Sequence, residues 1–374
     1  MTTTSPEHWI RIIPAQLRAA RESMGLSVEE VSGSVGVGRR EIERWEEGLA
    51  EPSVEQLWEL AELYGRGTDY FLKDLPPAPA GVSFRLLNNR TMEELSIEAR
   101  RVIARFEELC RAAYELEQMT GTPRNIAVVP APHESNSERL AQRERQRFGA
   151  NGRPIRDLRS LLEKEGVLVF ELSVAGSEFS GFSWWHSHYG PCIMVNARDG
   201  PGRRAFTLAH EYAHILHEHP PHVCDPEAAL GAADERFANG FAVAFLMPAS
   251  DVLETFETRG LSGTSLTYQQ LGSLASRYNV SLHAMAIRLE ELRLVPSGAT
   301  EALEAQWEAA GKYYRRGRTP AWKRRLGKTY VSLASNAYAQ GHISVGKLAE
   351  YLGLSIREAM TVAQEGGRHH REGN

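Results

Sequence analysis

The chain has 374 residues, enough for two or three domains, each with a core of its own. Apolar residues make up 42% and charged residues 24%, which excludes wholesale disorder. With 43 Lys and Arg against 48 Asp and Glu the net charge is −5, which excludes a polycation that coats nucleic acid indiscriminately.

Cys110, Cys192 and Cys224 form no CxxC pair, so neither a disulfide framework nor a thiolate metal site is expected. The first thirteen residues carry Glu7, His8 and Arg11 and do not read as a signal peptide. No apolar run approaches the roughly 18 residues of a membrane span. The cytoplasm is the expected compartment, with no membrane partner.

Residues 1–75 read as a bundle of five short helices. Leu17, Ala20 and Met24 share one face before Gly25 stops the first helix. Ser27 and Glu30 have capping-box spacing, Gly36 to Gly38 mark a tight turn, and Arg39 to Glu46 form a helix ended by Gly48. Pro52-Ser53 opens another, with Leu57, Leu60, Ala61 and Tyr64 inward. Residues 76–125 read as a stiff linker (Pro76, Pro77, Pro79, Gly81) and a long connecting helix. In that helix Leu95, Ala99, Val102, Phe106, Leu109, Ala113 and Leu116 recur at helical spacing before Gly121 and Pro123.

Residues 126–300 alternate element types, which predicts an α+β core with a small sheet. Strands are expected at Val167–Leu172, Phe179–Trp185 and Cys192–Asn196, then a helix from about Arg203 to Glu218. After Pro248 the pattern is helical, and residues 301–374 form a helical C-terminal region. The expected fold is mostly α with an α+β core.

Seven of the thirteen histidines lie between His186 and His222. Within that stretch His210-Glu211-Tyr212-Ala213-His214 spells HExxH. On a helix, residues four apart share a face, so both imidazoles can reach one Zn2+ while Glu211 stands beside it as general base. The rest of the segment is apolar, and burying these three groups without a ligand would cost several kcal/mol, roughly. A third protein ligand is required. Glu235 is the better candidate, because Ala238 and Ala242 let its helix approach closely. Asn239, one turn on, could hydrogen-bond a ligating histidine. His217, His219, His222, Asp225 and Asp234 compete, and His186 and His188, in a strand connection, are further cleft candidates.

Ser180-Gly181-Phe182, Ile193 to Asn196, Arg204, Phe206 to His214, Glu235 to Ala242 and Phe245 to Pro248 together resemble the ImmA/IrrE family of zinc metallopeptidases. The resemblance covers roughly residues 150–300. It implies His210, His214 and Glu235 as ligands, Glu211 as catalytic base, a gluzincin-like fold and cleavage of a repressor protein. Phe237 departs from the pattern, since many relatives are polar there.

The N-terminal order of turns and apolar positions resembles the XRE (Cro/cI-type) helix-turn-helix family, over about 60 residues. That family's reading helix enters the major groove, which implies Arg39, Arg40 and Arg44 as contacts to an operator in double-stranded DNA. The charge opposes this: residues 1–72 hold seven arginines, no lysine and thirteen acidic residues. A bundle that binds protein or dimerises is the alternative.

Lys312, Arg315, Arg316, Arg318, Lys323, Arg324, Arg325 and Lys328 form a basic segment containing Tyr313, Tyr314 and Trp322. Arg315, Arg316, Lys323, Arg324 and Arg325 are candidates for a second nucleic-acid contact. Beyond them, Ile343-Ser344, Leu348-Ala349, Leu352 to Ser355 and Glu358 have the rhythm of another helix-turn-helix.

These readings combine into a cytoplasmic transcriptional regulator, expected as a homodimer, whose zinc peptidase domain cleaves a repressor in a stress or mobile-element switch. The alternatives are a DNA-binding factor using the peptidase fold as a metal or ligand sensor, and a toxin–antitoxin component.

Overall fold

Capping side chains and left-handed glycines delimit the N-terminal helices. The computed structural model describes residues 12–72, 85–86, 95–174, 179–217, 222–224, 233–300 and 322–369; the side chains of 85–86, 222–224, 323–324 and 365–369 are excepted. Ser27 and Glu30 close a reciprocal box at the start of Val28–Val35, and Gly36, at φ +67°, ends it. The helix Arg39–Glu46 follows after a two-residue turn. Ser53 and Gln56 repeat the box for Val54–Tyr64. The fifth helix is a short 3-10 helix, Thr68–Leu72.

Leu17, Ala20, Met24, Val31, Ile42, Trp45, Leu60 and Phe71 form the core of this region. Arg21 clamps the buried Glu46 bidentately, at 2.6 and 2.8 Å, and so ties the first helix (Pro14–Ser23) to the end of the third.

The chain divides into two compact units, Met1–Leu109 and Cys110–Asn374. The division falls inside the long helix Ile97–Thr120. The first half of that helix completes the N-terminal core. Ala104 is part of the cluster, Arg66 pairs with Glu107 at 2.5 Å, and the Gly67 N–H donates to Glu108 at 2.7 Å. The linker prolines 76, 77 and 79 lie outside the described residues.

In the second unit Leu168–Leu172 runs parallel to Gly190–Asn196, which forms an antiparallel hairpin with Gly181–His186. Gly181–His186 also pairs with His222–Cys224, a short strand that no periodicity in the sequence marks. Gly190–Asn196 is buried throughout, because both faces of the sheet are covered. Val169, Ile193 and Val195 face the cluster containing the helix Pro201–His217, while Phe170 meets Tyr330 of the C-terminal helices edge-on. The helices Ser137–Arg147 and Ala233–Leu246 share that cluster. The architecture is mostly helical around a small sheet.

The C-terminal region contains the helices Trp322–Leu326, Lys328–Ala339, Val345–Leu352 and Ile356–His369. None of the described helices is long and apolar enough to cross a membrane.

Candidate metal centre

The helix Pro201–His217 lies with its apolar side against the sheet, and residues 207–216 are all buried. Arg204 secures the helix start by donating to the carbonyls of Ala197 (3.3 Å) and Asp199 (2.6 Å). Tyr212, inside the HExxH segment, donates to Glu144 and accepts from Arg147, both at 2.8 Å. Burial, reinforced by the Glu144 charge, pushes the Tyr212 phenol well above its ordinary range. The sequence pattern does not reveal this network, and a tyrosine between the two histidines is its only trace.

Helical spacing brings His210 Nε2 and His214 Nε2 to 3.1 Å from each other. Glu235, from the helix Ala233–Leu246, places Oε2 at 3.2 Å from His210 Nε2 and Oε1 at 3.4 Å from His214 Nε2. Ala238 and Ala242, both fully buried, permit the close approach of the two helices. Zinc bound tetrahedrally at about 2.0–2.1 Å needs donors about 3.3 Å apart, so this spacing fits such an ion. Among the described residues this is the one group of three or more potential ligands.

The donor chemistry fits as well. Asn239 Oδ1 can only accept, so at 2.9 Å it fixes the proton of His210 on Nδ1. His210 Nε2 then offers a lone pair toward His214 and Glu235. A cation among these donors relieves the crowding of lone pairs.

Glu211 is fully buried, and its Oε2 accepts a hydrogen bond from Ser183 Oγ at 2.8 Å. Sequence reasoning misses Ser183, because a serine on a strand carries no signal. Gly181, two residues earlier, is required for packing. A Cβ there would meet Thr207 Cγ2 at 2.5 Å, the Met194 carbonyl at 2.7 Å and Glu211 Oε1 at 3.3 Å.

The other histidine candidates have different positions. His217 Nε2 donates to the Glu134 carbonyl at 2.7 Å, and its ring lies 4.0 Å from Phe237. It secures the end of the helix, and Phe237 packs against its ring at a tilt of 32°. His186 accepts from the backbone N–H groups of His188 and Tyr189 at 3.1 and 3.2 Å and stacks on Tyr189. His186 thus organises the hairpin turn, and the exposed His188 lies near Tyr114. Neither joins the ligand cluster. His219 and Asp225 lie outside the described residues, and of His222 only the backbone is described.

On the helix Arg39–Glu46, the side chains of Arg39, Arg40 and Arg44 are all exposed. Arg39 is engaged by Glu43 (2.9 Å) and by Glu29. Arg315 and Arg316 lie outside the described residues, the side chains of Lys323 and Arg324 are likewise not described, and Arg325 is exposed.

Two family models match the chain. Residues 162–290 match a peptidase family described as the IrrE N-terminal-like domain, and residues 17–71 match a helix-turn-helix family. No curated protein matches it. The first match spans the histidine pair, Glu235 and Asn239, and the second spans the capped helices and Arg39–Glu46. The chain therefore joins a helix-turn-helix domain to an IrrE-like domain of the metallopeptidase type.

Proposed function

We propose that this protein is a DNA-bound transcriptional regulator whose IrrE-like domain is a zinc peptidase that cleaves a partner repressor in a stress or mobile-element switch. The observation that carries the reading is the cluster of three buried donors 3.1–3.4 Å apart, His210, His214 and Glu235, with Glu211 next to His210 in the chain. His210, His214 and Glu235 would hold the ion. When bound, zinc supplies Lewis acidity at neutral pH. Glu211 takes a proton from the attacking water at its carboxylate and returns it to the leaving amine. Ser183 holds one oxygen of that carboxylate, and Asn239 holds His210 in the ligating tautomer. Arg40 and Arg44 face operator DNA, acting in a homodimer.

The test is incubation of zinc-loaded full-length protein with candidate repressors. Cleavage by wild type that disappears in Glu211→Gln, at unchanged zinc content, supports the proposal. Equal behaviour of the two proteins removes it. A second reading is favoured by burial, since Glu211 is 0% and Glu235 2% exposed. In it, the centre is a sensor, or a partner-binding module of a toxin–antitoxin pair, and changes DNA affinity without hydrolysis. DNA affinity that responds to chelation but not to Glu211→Gln would select that reading.

A further inference from the structure

Leu26 to Trp45 aligns residue for residue, without a gap, with Ile343 to Val362. Ser27 and Ser344 each cap an eight-residue helix, Val28–Val35 and Val345–Leu352. Each helix ends at a left-handed glycine, Gly36 at φ +67° and Gly353 at φ +62°. After two intervening residues the second helix begins, at Arg39 and at Ile356. The inward positions correspond too, since Leu26, Val31, Ile42 and Trp45 pair with Ile343, Leu348, Ala359 and Val362, all buried. The outward Arg40 corresponds to Arg357, which is also exposed.

A third copy of this local pattern shows what the correspondence alone does not establish. Thr267 caps Tyr268–Tyr278, Asn279 is left-handed, and Ser281 caps Leu282–Glu291. Its turn is sealed in the core: a Cβ on Gly202 would strike the backbone of Val280 and Ser281, the latter at 2.5 Å. The C-terminal copy differs in what it leaves outside. Ile356 is 57% and Met360 52% exposed, and Arg357 and Thr361 beside them are exposed as well. The one acid in the first turn of this reading helix, Glu358, is used in the cap, accepting from Ser355 N–H at 2.9 Å and Oγ at 2.7 Å.

The charge favours a polyanion. Residues 322–374 hold eight Lys and Arg against four Glu, whereas residues 1–72 carry six more acids than bases. We propose that Ser344–His369 is a second DNA-reading helix-turn-helix, which docks Ile356, Arg357, Met360 and Thr361 in a major groove. Arg357 supplies phosphate or guanine contact, and the two apolar side chains suit thymine methyl groups. The inference is independent of the peptidase reading.

The experiment is selection of duplexes from a randomised library by full-length protein, followed by salt titration of the selected DNA. Wild type is expected to select two separate sequence elements. Arg40→Ala with Arg44→Ala should erase one element and Arg357→Ala with Met360→Ala the other. The second pair should also lower the slope of log K against log salt by about one for each phosphate that Arg357 neutralises. If the N-terminal reading alone fails, the first pair is silent and the C-terminal element persists. A single element insensitive to the Arg357 and Met360 changes, or no selected duplex, overturns the proposal. So does a change in sedimentation mass with DNA affinity intact, which would assign this face to a protein contact.

Discussion

His210 and Asn239 meet across two helices through one hydrogen bond of 2.9 Å from Nδ1 to the amide oxygen, and this bond decides which imidazole nitrogen faces Glu235. Without it both tautomers are accessible, and one of them presents an N–H to the ion. Asn239→Ala is therefore expected to weaken zinc binding by about 10- to 100-fold. Competition with a chromophoric chelator measures this. Unchanged affinity would remove the role assigned to Asn239.

The ligands themselves give a sharper outcome. His210→Ala, His214→Ala and Glu235→Ala should each abolish binding of about one zinc per chain, while Glu211→Gln retains it. Zinc should also raise the melting temperature of wild type, because an ion that binds only the folded state stabilises it by mass action. Elemental analysis and thermal scans with and without chelator check both. A melting temperature indifferent to zinc counts against the site.

Gly181 tests the packing of sheet on helix. Gly181→Ala inserts a methyl against Thr207 and the Met194 carbonyl, neither of which lies at a flexible side-chain end. Overpacking of this kind costs about 1–3 kcal/mol. Ser183→Ala takes the donor from the buried Glu211 carboxylate and should cost about 1–3 kcal/mol. Denaturant midpoints check both variants.

His217 separates structure from ligation. Its hydrogen bond to Glu134 and its packing against Phe237 predict a destabilisation of about 1 kcal/mol in His217→Ala. Zinc content should remain at the wild-type value. A variant that loses zinc while keeping its stability would contradict this placement.

Tyr64 predicts a pH dependence for the N-terminal unit. Burial, with help from the Glu46 carboxylate, pushes its phenol above the ordinary value of 10. The unfolded chain thus releases this proton first. The contribution of Tyr64 is complete below about pH 10 and drains away as the pH climbs further. Tyr64→Phe should lose stability less steeply between about pH 9.5 and 11, as read by denaturation at fixed pH steps.

Much of this is legible in the sequence because it is local. A serine three residues before a glutamate, a glycine after the last apolar position, and two histidines four apart each state a geometry within one turn of helix. Ser27, Gly36 and the His210–His214 pair stand as their spacing predicts. The strand His222–Cys224 escapes such reading because three residues carry no period.

Sequence by itself determined the two motif sets, the capped helices and a short list of ligands. It weighed Glu235 against competitors and left His186 and His188 as further candidates. The fold brings Glu235 to the two histidines, because such a meeting depends on which backbones can come close. Ala238 and Ala242 admit the neighbouring helix, Gly181 admits the sheet, and those approaches bring Glu235 and Ser183 to His210 and Glu211 from far along the chain.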